Sequence, residues 1–298
     1  MSTQPPVPPA SPPPPPPMSP AQSPGQPGVP GIFEYPNAPL SYLEAEQAVK
    51  DGKRGPLKVP TWGLGDVWIS LALLFIFQIV GVIIVTIIVQ VVDPSAAAGG
   101  ALPNFAWVSL SLTAFMWLGM GLWPWVTAHL KGNGIRIDFG LRFSWRDIGL
   151  GVLYGFLAFI VAMVLAILTT ALFGDFSSAA GDEAAQYKDS IVVSAVFALT
   201  IAFGAPFFEE LCFRGLFLSS LAKRGMGAVL SIAIPALVFS LMHFEPKRIL
   251  LLFGVGCVFG LARWQSKSLT TAVVAHMMNN LPGAIGIFLL ALGLDIPV

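Results

Sequence analysis

Charge is scarce in this chain, and neither sign prevails. Sixteen Lys and Arg are matched by sixteen Asp and Glu among 298 residues, so the basic footprint that nucleic-acid binding requires is missing. Only two cysteines occur, Cys212 and Cys257. They fall in different apolar stretches with no metal or redox spacing, which reads as buried structural thiols. Histidine occurs three times, as His129, His243 and His276, and no His-Glu-x-x-His is present, which excludes the familiar soluble zinc-peptidase helix. No apolar core follows Met1, so no cleaved signal peptide is expected. No internal repeat is visible, which argues against transporter folds built from duplicated halves.

What the chain has in abundance is apolar surface: 55 % of its residues are hydrophobic, against about 45–50 % in soluble domains. Runs long enough to cross a bilayer stand at 67–92, 105–127, 148–173, 191–208, 227–244, 249–264 and 269–294. The last is interrupted by Asn279-Asn280-Leu281-Pro282-Gly283. The expectation is an all-α, polytopic transmembrane helical bundle of seven or eight spans. Its organisation reads as a tail over 1–60, transmembrane helices over 61–189, a core carrying the chemistry over 190–285, and a helix end over 286–298.

Residues 1 to about 40 are rich in Pro, Ser, Gln and Gly, with an unbroken run from Pro12 to Pro17. This composition predicts a disordered, partly polyproline-II tail, open to a partner that binds proline-rich ligands. Ser41-Tyr42-Leu43-Glu44 has capping-box spacing, which predicts a short interfacial helix over 42–49 with Tyr42, Ala45 and Val49 on one side. Lys and Arg cluster before the first span, in the loop after the second, after the fourth (Lys223, Arg224) and after the sixth. Alternate loops collect Asp93, Asp175, Asp182, Glu183 and Asp189. By the positive-inside rule the N-terminus is cytoplasmic in a multi-pass protein of a cell membrane, here read as a bacterial plasma membrane.

Glu209 and Glu210 break an otherwise apolar stretch, where each charge costs at least ~2.5 kcal/mol and so marks a functional site. On a helix, Glu210 and Arg214 share a face with the acid N-terminal, the better order for a pair. Glu209 is rotated about 100° away and is expected to lack a local partner. Such an unpaired carboxylate in low dielectric is the usual preparation of a general base or acid. His243 follows Phe239 at helical spacing, and His276 shares a face with Asn280. His129 beside Lys131 reads as a surface residue. Arg224-Gly225-Met226-Gly227 reads as a turn, and antiparallel helices around it would hold Glu209 and His243 level, in a site part-way into the membrane that opens towards that turn. Pro282, lacking an amide hydrogen, frees the carbonyl of Met278.

Glu209-Glu210-x-x-x-Arg214, Phe239-x-x-x-His243 and His276-x-x-x-Asn280, in this order on successive spans, resemble the three motifs of the CPBP intramembrane protease family. That family includes the type II CAAX prenyl endopeptidases and bacteriocin-processing or immunity proteins. The likeness covers about residues 190 to 285. It implies that Glu209 and His243 hold and deprotonate a water for attack on a peptide carbonyl. His276 and Asn280 would bind the oxyanion or complete a metal site, with Glu210 and Arg214 in support. Glu209, His243 and His276 would suit a divalent metal, zinc, with one position open for water; a carboxylate-activated water without metal uses the same residues. The implied substrate is a membrane-anchored or lipid-modified peptide or protein. A non-catalytic immunity or regulatory protein and a proton-coupled transporter are the alternatives.

Overall fold

The computed structural model describes residue 35, residues 37–97 and residues 106–294; the proline run of the tail lies outside them. Among the described residues the chain is helical, with no strand. Helix α1 (Leu40–Lys50) precedes the long apolar helices α2 (Leu64–Val92), α3 (Ala106–Lys131), α4 (Trp145–Phe173) and α5 (Ile191–Lys223). A shorter α6 (Ala228–Leu241) leads to α7 (Ile249–Ser266) and α8 (Leu269–Ala291). Among the described residues six helices are long and apolar enough to cross a membrane, α7 counted with the single turn Pro246–Arg248 before it. The all-α bundle expected from hydropathy is therefore observed.

With the shorter apolar α6 the six long helices make seven of the seven or eight spans expected, and no eighth is seen among the described residues. The 279–283 interruption does not break α8, which runs on past Pro282. One proline removes one backbone donor and frees one carbonyl, and α8 continues past it. The fourth apolar run is also longer than the hydropathy edge at 208 suggests. Helix α5 has 33 residues, about 50 Å at 1.5 Å per residue, against a hydrocarbon layer of ~30 Å. Glu210, Arg214, Ser219 and Ser220, which follow Phe208, are buried inside the protein, so hydropathy ends where the helix does not.

Helices α2 and α3 pack along one another; α4 lies against α7 and α8, and α6 against α7. Close approach is bought with glycine at the tightest crossing: a Cβ at Gly119 would sit 2.6 Å from the backbone of Leu73 and Leu74.

The two ends of the bundle are distinct. At one, Thr61 N donates to Lys131 O and Leu40 N to Lys267 O, while Lys223 Nζ donates to the carbonyls of Pro60 and Trp62. The basic residues expected on one side thus gather at one end. That end is covered rather than open, because Tyr35, Tyr42 and Trp62 are buried over it and α1 is bound through Ser41 Oγ to Ile137 O. Of the α1 side chains expected on one side, Tyr42 and Ala45 are buried and Val49 is half-buried. Burial pushes the Tyr35 phenol up to about 12, against the opposing charge of Arg263. Burial also raises Asp138, opposed by hydrogen bonds from Asn133 and Trp62. At the other end Ala179 N donates to Glu245 Oε1 and Lys247 Nζ to Asp175 O.

Candidate active site

The site begins with irregular helix. Helix α5 widens to π geometry over Thr200–Gly204 and again over Leu211–Phe217, leaving one α-helical turn, Ala205–Glu210, between them. Such π-bulges recur at functional sites because they re-aim side chains and strand carbonyls. Glu209 and Glu210 close that turn.

Glu210 and Arg214 pair as their spacing requires: Arg214 Nη1 donates to Glu210 Oε1 at 2.7 Å, with both side chains buried. Arg214 Nη2 donates to Gly256 O at 2.7 Å, and a Cβ at Gly256 would lie 3.2 Å from that nitrogen. The guanidinium carbon lies 5.0 Å from the Phe239 ring centre and 5.5 Å from that of Phe259. A buried cation so enclosed is a fixed part, not a mobile one.

His276 links the two carboxylates. Its Nδ1 donates to Glu210 Oε1 at 3.0 Å, and its Nε2 lies 3.7 Å from Glu209 Oε2. Glu209, expected to lack a partner on its own helix, finds its neighbour on α8. The imidazole stacks on Phe259 with ring centres 4.4 Å apart, and its tautomer follows from the bond at Nδ1.

His243 lies just past the end of α6. Its Nδ1 donates to Phe239 O at 2.8 Å, which leaves Nε2 as an acceptor. Phe239 meets both imidazoles edge-on, at 4.6 Å from His243 and 5.9 Å from His276. Asn280 Nδ2 donates to Ile201 O in the first π segment, and Asn279 Nδ2 donates to Asn280 Oδ1, each at 3.2 Å. His129 stays outside the site, at the end of α3 against Trp125.

Glu209, Glu210, Arg214 and His276 are thus brought together, with Asn280 tied to the same helix and His243 sharing the Phe239 ring. The three-ligand set of Glu209, His243 and His276 is not. Among the described residues no three His, Cys, Asp or Glu side chains are grouped so as to hold a metal. Each imidazole gives its Nδ1 hydrogen to an oxygen, His276 to Glu210 and His243 to the Phe239 carbonyl, so that Nε2 is the nitrogen each could offer to an ion.

Sequence reasoning missed Phe259, the Gly256 carbonyl and the Ile201 carbonyl. Only the last had a signal: Pro206, three residues before Glu209, has no amide hydrogen to give.

Residues 191–282 match the family described as type II CAAX prenyl endopeptidase Rce1-like, and all three motifs lie inside that segment. The likeness to this class of intramembrane protease read from the motifs is borne out. The chain is 25 % identical over 158 residues to the membrane-embedded CAAX protease MroQ of Staphylococcus aureus (strain USA300). That alignment covers 50 % of this chain and 62 % of the relative, less than two thirds of its length. No solved structure matches the chain.

Proposed function

We propose that this chain is an intramembrane endopeptidase that hydrolyses a peptide bond near the bilayer in a membrane-anchored or lipid-modified substrate. The observation that supports it most is His276 held between the adjacent carboxylates of Glu209 and Glu210, inside the segment that matches the CAAX endopeptidases. The substrate class is carried over from the relative's name. The N-terminus and the basic end of the bundle face the cytoplasm in this reading, by the positive-inside rule.

The proposed chemistry follows from which atoms are spoken for. Glu210, charge-balanced by Arg214, accepts the hydrogen on His276 Nδ1 and leaves Nε2 facing Glu209 across 3.7 Å. That gap is too long for a hydrogen bond and leaves room for a water held on Glu209. Glu209 takes a proton from this water as its oxygen adds to the carbonyl carbon of the scissile bond. Glu209 then returns the proton to the leaving nitrogen as the carbon–nitrogen bond breaks. His243 Nε2, free to accept, helps to hold the water. Asn280 Nδ2 has a second hydrogen beyond the one given to Ile201, available to the oxyanion. The part the resemblance gives His276 at the oxyanion requires a hydrogen on Nε2 besides the Nδ1 hydrogen given to Glu210. No step is routed through a metal.

The test is cleavage of a quenched fluorescent peptide ending in a farnesylated CAAX sequence, by protein reconstituted in liposomes. Cleavage by wild type and none by Glu209→Gln supports the reading. No cleavage of this peptide, or of membrane-anchored peptides without a prenyl group, overturns it.

A further inference from the structure

Asn280 is oriented by two neighbours that lie outside the three motifs, and the reason is a missing hydrogen. In the π segment of α5 the amide of Ala205 donates to Thr200 O, five residues back. In the same register the carbonyl of Ile201 should receive the amide of residue 206, but residue 206 is proline and has none. An unfilled carbonyl inside the protein must find a donor elsewhere. Asn280 Nδ2 supplies it at 3.2 Å from α8. Asn279 Nδ2 holds the other end of the same amide, donating to Asn280 Oδ1 at 3.2 Å.

These two bonds fix the Asn280 side chain about its terminal torsion. A carboxamide is free to flip unless its two ends see different partners. Here the oxygen meets only a donor and the nitrogen only an acceptor. The amide plane is set, and the second N–H of Asn280 is left in one direction. The carbonyl being clamped lies eight residues before Glu209 on the same helix, so the bond also ties the helix of the base to that of His276.

We infer that Pro206 and Asn279 are positioning residues for the reaction: Pro206 by vacating the Ile201 carbonyl, Asn279 by holding Asn280 Oδ1, so that the remaining Asn280 hydrogen faces the developing oxyanion. This rests on the endopeptidase reading above. Neither residue touches the substrate; both act through Asn280.

The experiment is a double-mutant cycle on the liposome-reconstituted full chain with the farnesylated quenched peptide. Asn279→Ala and Pro206→Ala, the latter restoring an amide hydrogen to the helix, each lower kcat on the order of tenfold with KM little changed. That is a fraction of the ~10²–10³-fold lost when an oxyanion donor is removed outright. In an Asn280→Ala background both substitutions lose their effect on kcat, because the side chain they orient is gone. Asn279→Gln, which keeps the donor on a longer arm, recovers part of the rate. Effects that add fully to Asn280→Ala, or that fall on KM alone, overturn the inference. So does a fall in kcat that tracks lowered detergent melting across all variants. If wild type cleaves no membrane-anchored peptide, the endopeptidase reading itself has failed, an outcome separate from additivity in an active enzyme.

Discussion

Arg214 Nη1 and Glu210 Oε1 lie 2.7 Å apart, both side chains shielded from solvent and four residues apart on α5. The same carboxylate oxygen accepts from His276, so one buried ion pair sets the orientation of the imidazole. Removing the cation strands a buried carboxylate. Arg214→Ala should therefore cost on the order of 3–5 kcal/mol, read as a lowered melting temperature in detergent. A variant as stable as wild type would show that the pair carries no net stability.

Glu209→Gln keeps shape and hydrogen bonding but cannot take a proton. The loss of activity should be ~10²–10⁴-fold with expression and melting unchanged, because the 3.7 Å contact to His276 is too long to contribute much to stability. Retention of more than about a tenth of the wild-type rate, well above that range, would remove Glu209 from the role of base.

Chelation tests the ligand geometry. On the metal-free reading, in which Glu209 and not a metal activates the water, activity should survive exhaustive chelation, and elemental analysis should find no stoichiometric zinc. Loss on chelation with recovery on adding zinc would mean that Glu209, His243 and His276 close on a metal in the working enzyme. Occupancy would then fall with acid, since each ligand must be deprotonated.

Asp138 gives a pH signature at the covered end of the bundle. Its carboxyl is raised above 3.8 by burial, against hydrogen bonds from Asn133 and Trp62. A raised carboxyl binds its proton more tightly in the folded state, so its contribution is full below the unfolded value and is lost as pH rises through the folded one. Asp138→Asn should therefore gain stability relative to wild type as pH climbs above about 4. Parallel melting curves of the two proteins across that window would contradict the shift.

Orientation is checked by single-cysteine labelling in a background lacking Cys212 and Cys257. Arg224→Cys should label from the cytoplasmic side and Asp182→Cys from the other. Labelling of both from one side would overturn the positive-inside assignment.

The sequence by itself determined the all-α bundle, because apolar length against bilayer thickness leaves few alternatives. It also determined the Glu210–Arg214 pair, because i,i+4 spacing on a helix is local geometry. It marked every ionisable group of the site by its cost in an apolar run. Tertiary structure decided what those groups face. Glu209 and His276 are 67 residues apart, and no periodicity says that an imidazole from α8 will stand between two carboxylates of α5. The π segments that turn Glu209 toward it come from the balance of packing around α5, which propensity does not encode. Nor did the sequence say that α8 runs unbroken through Pro282: whether a freed carbonyl ends a helix depends on what surrounds it, and that is known only once the chain has folded.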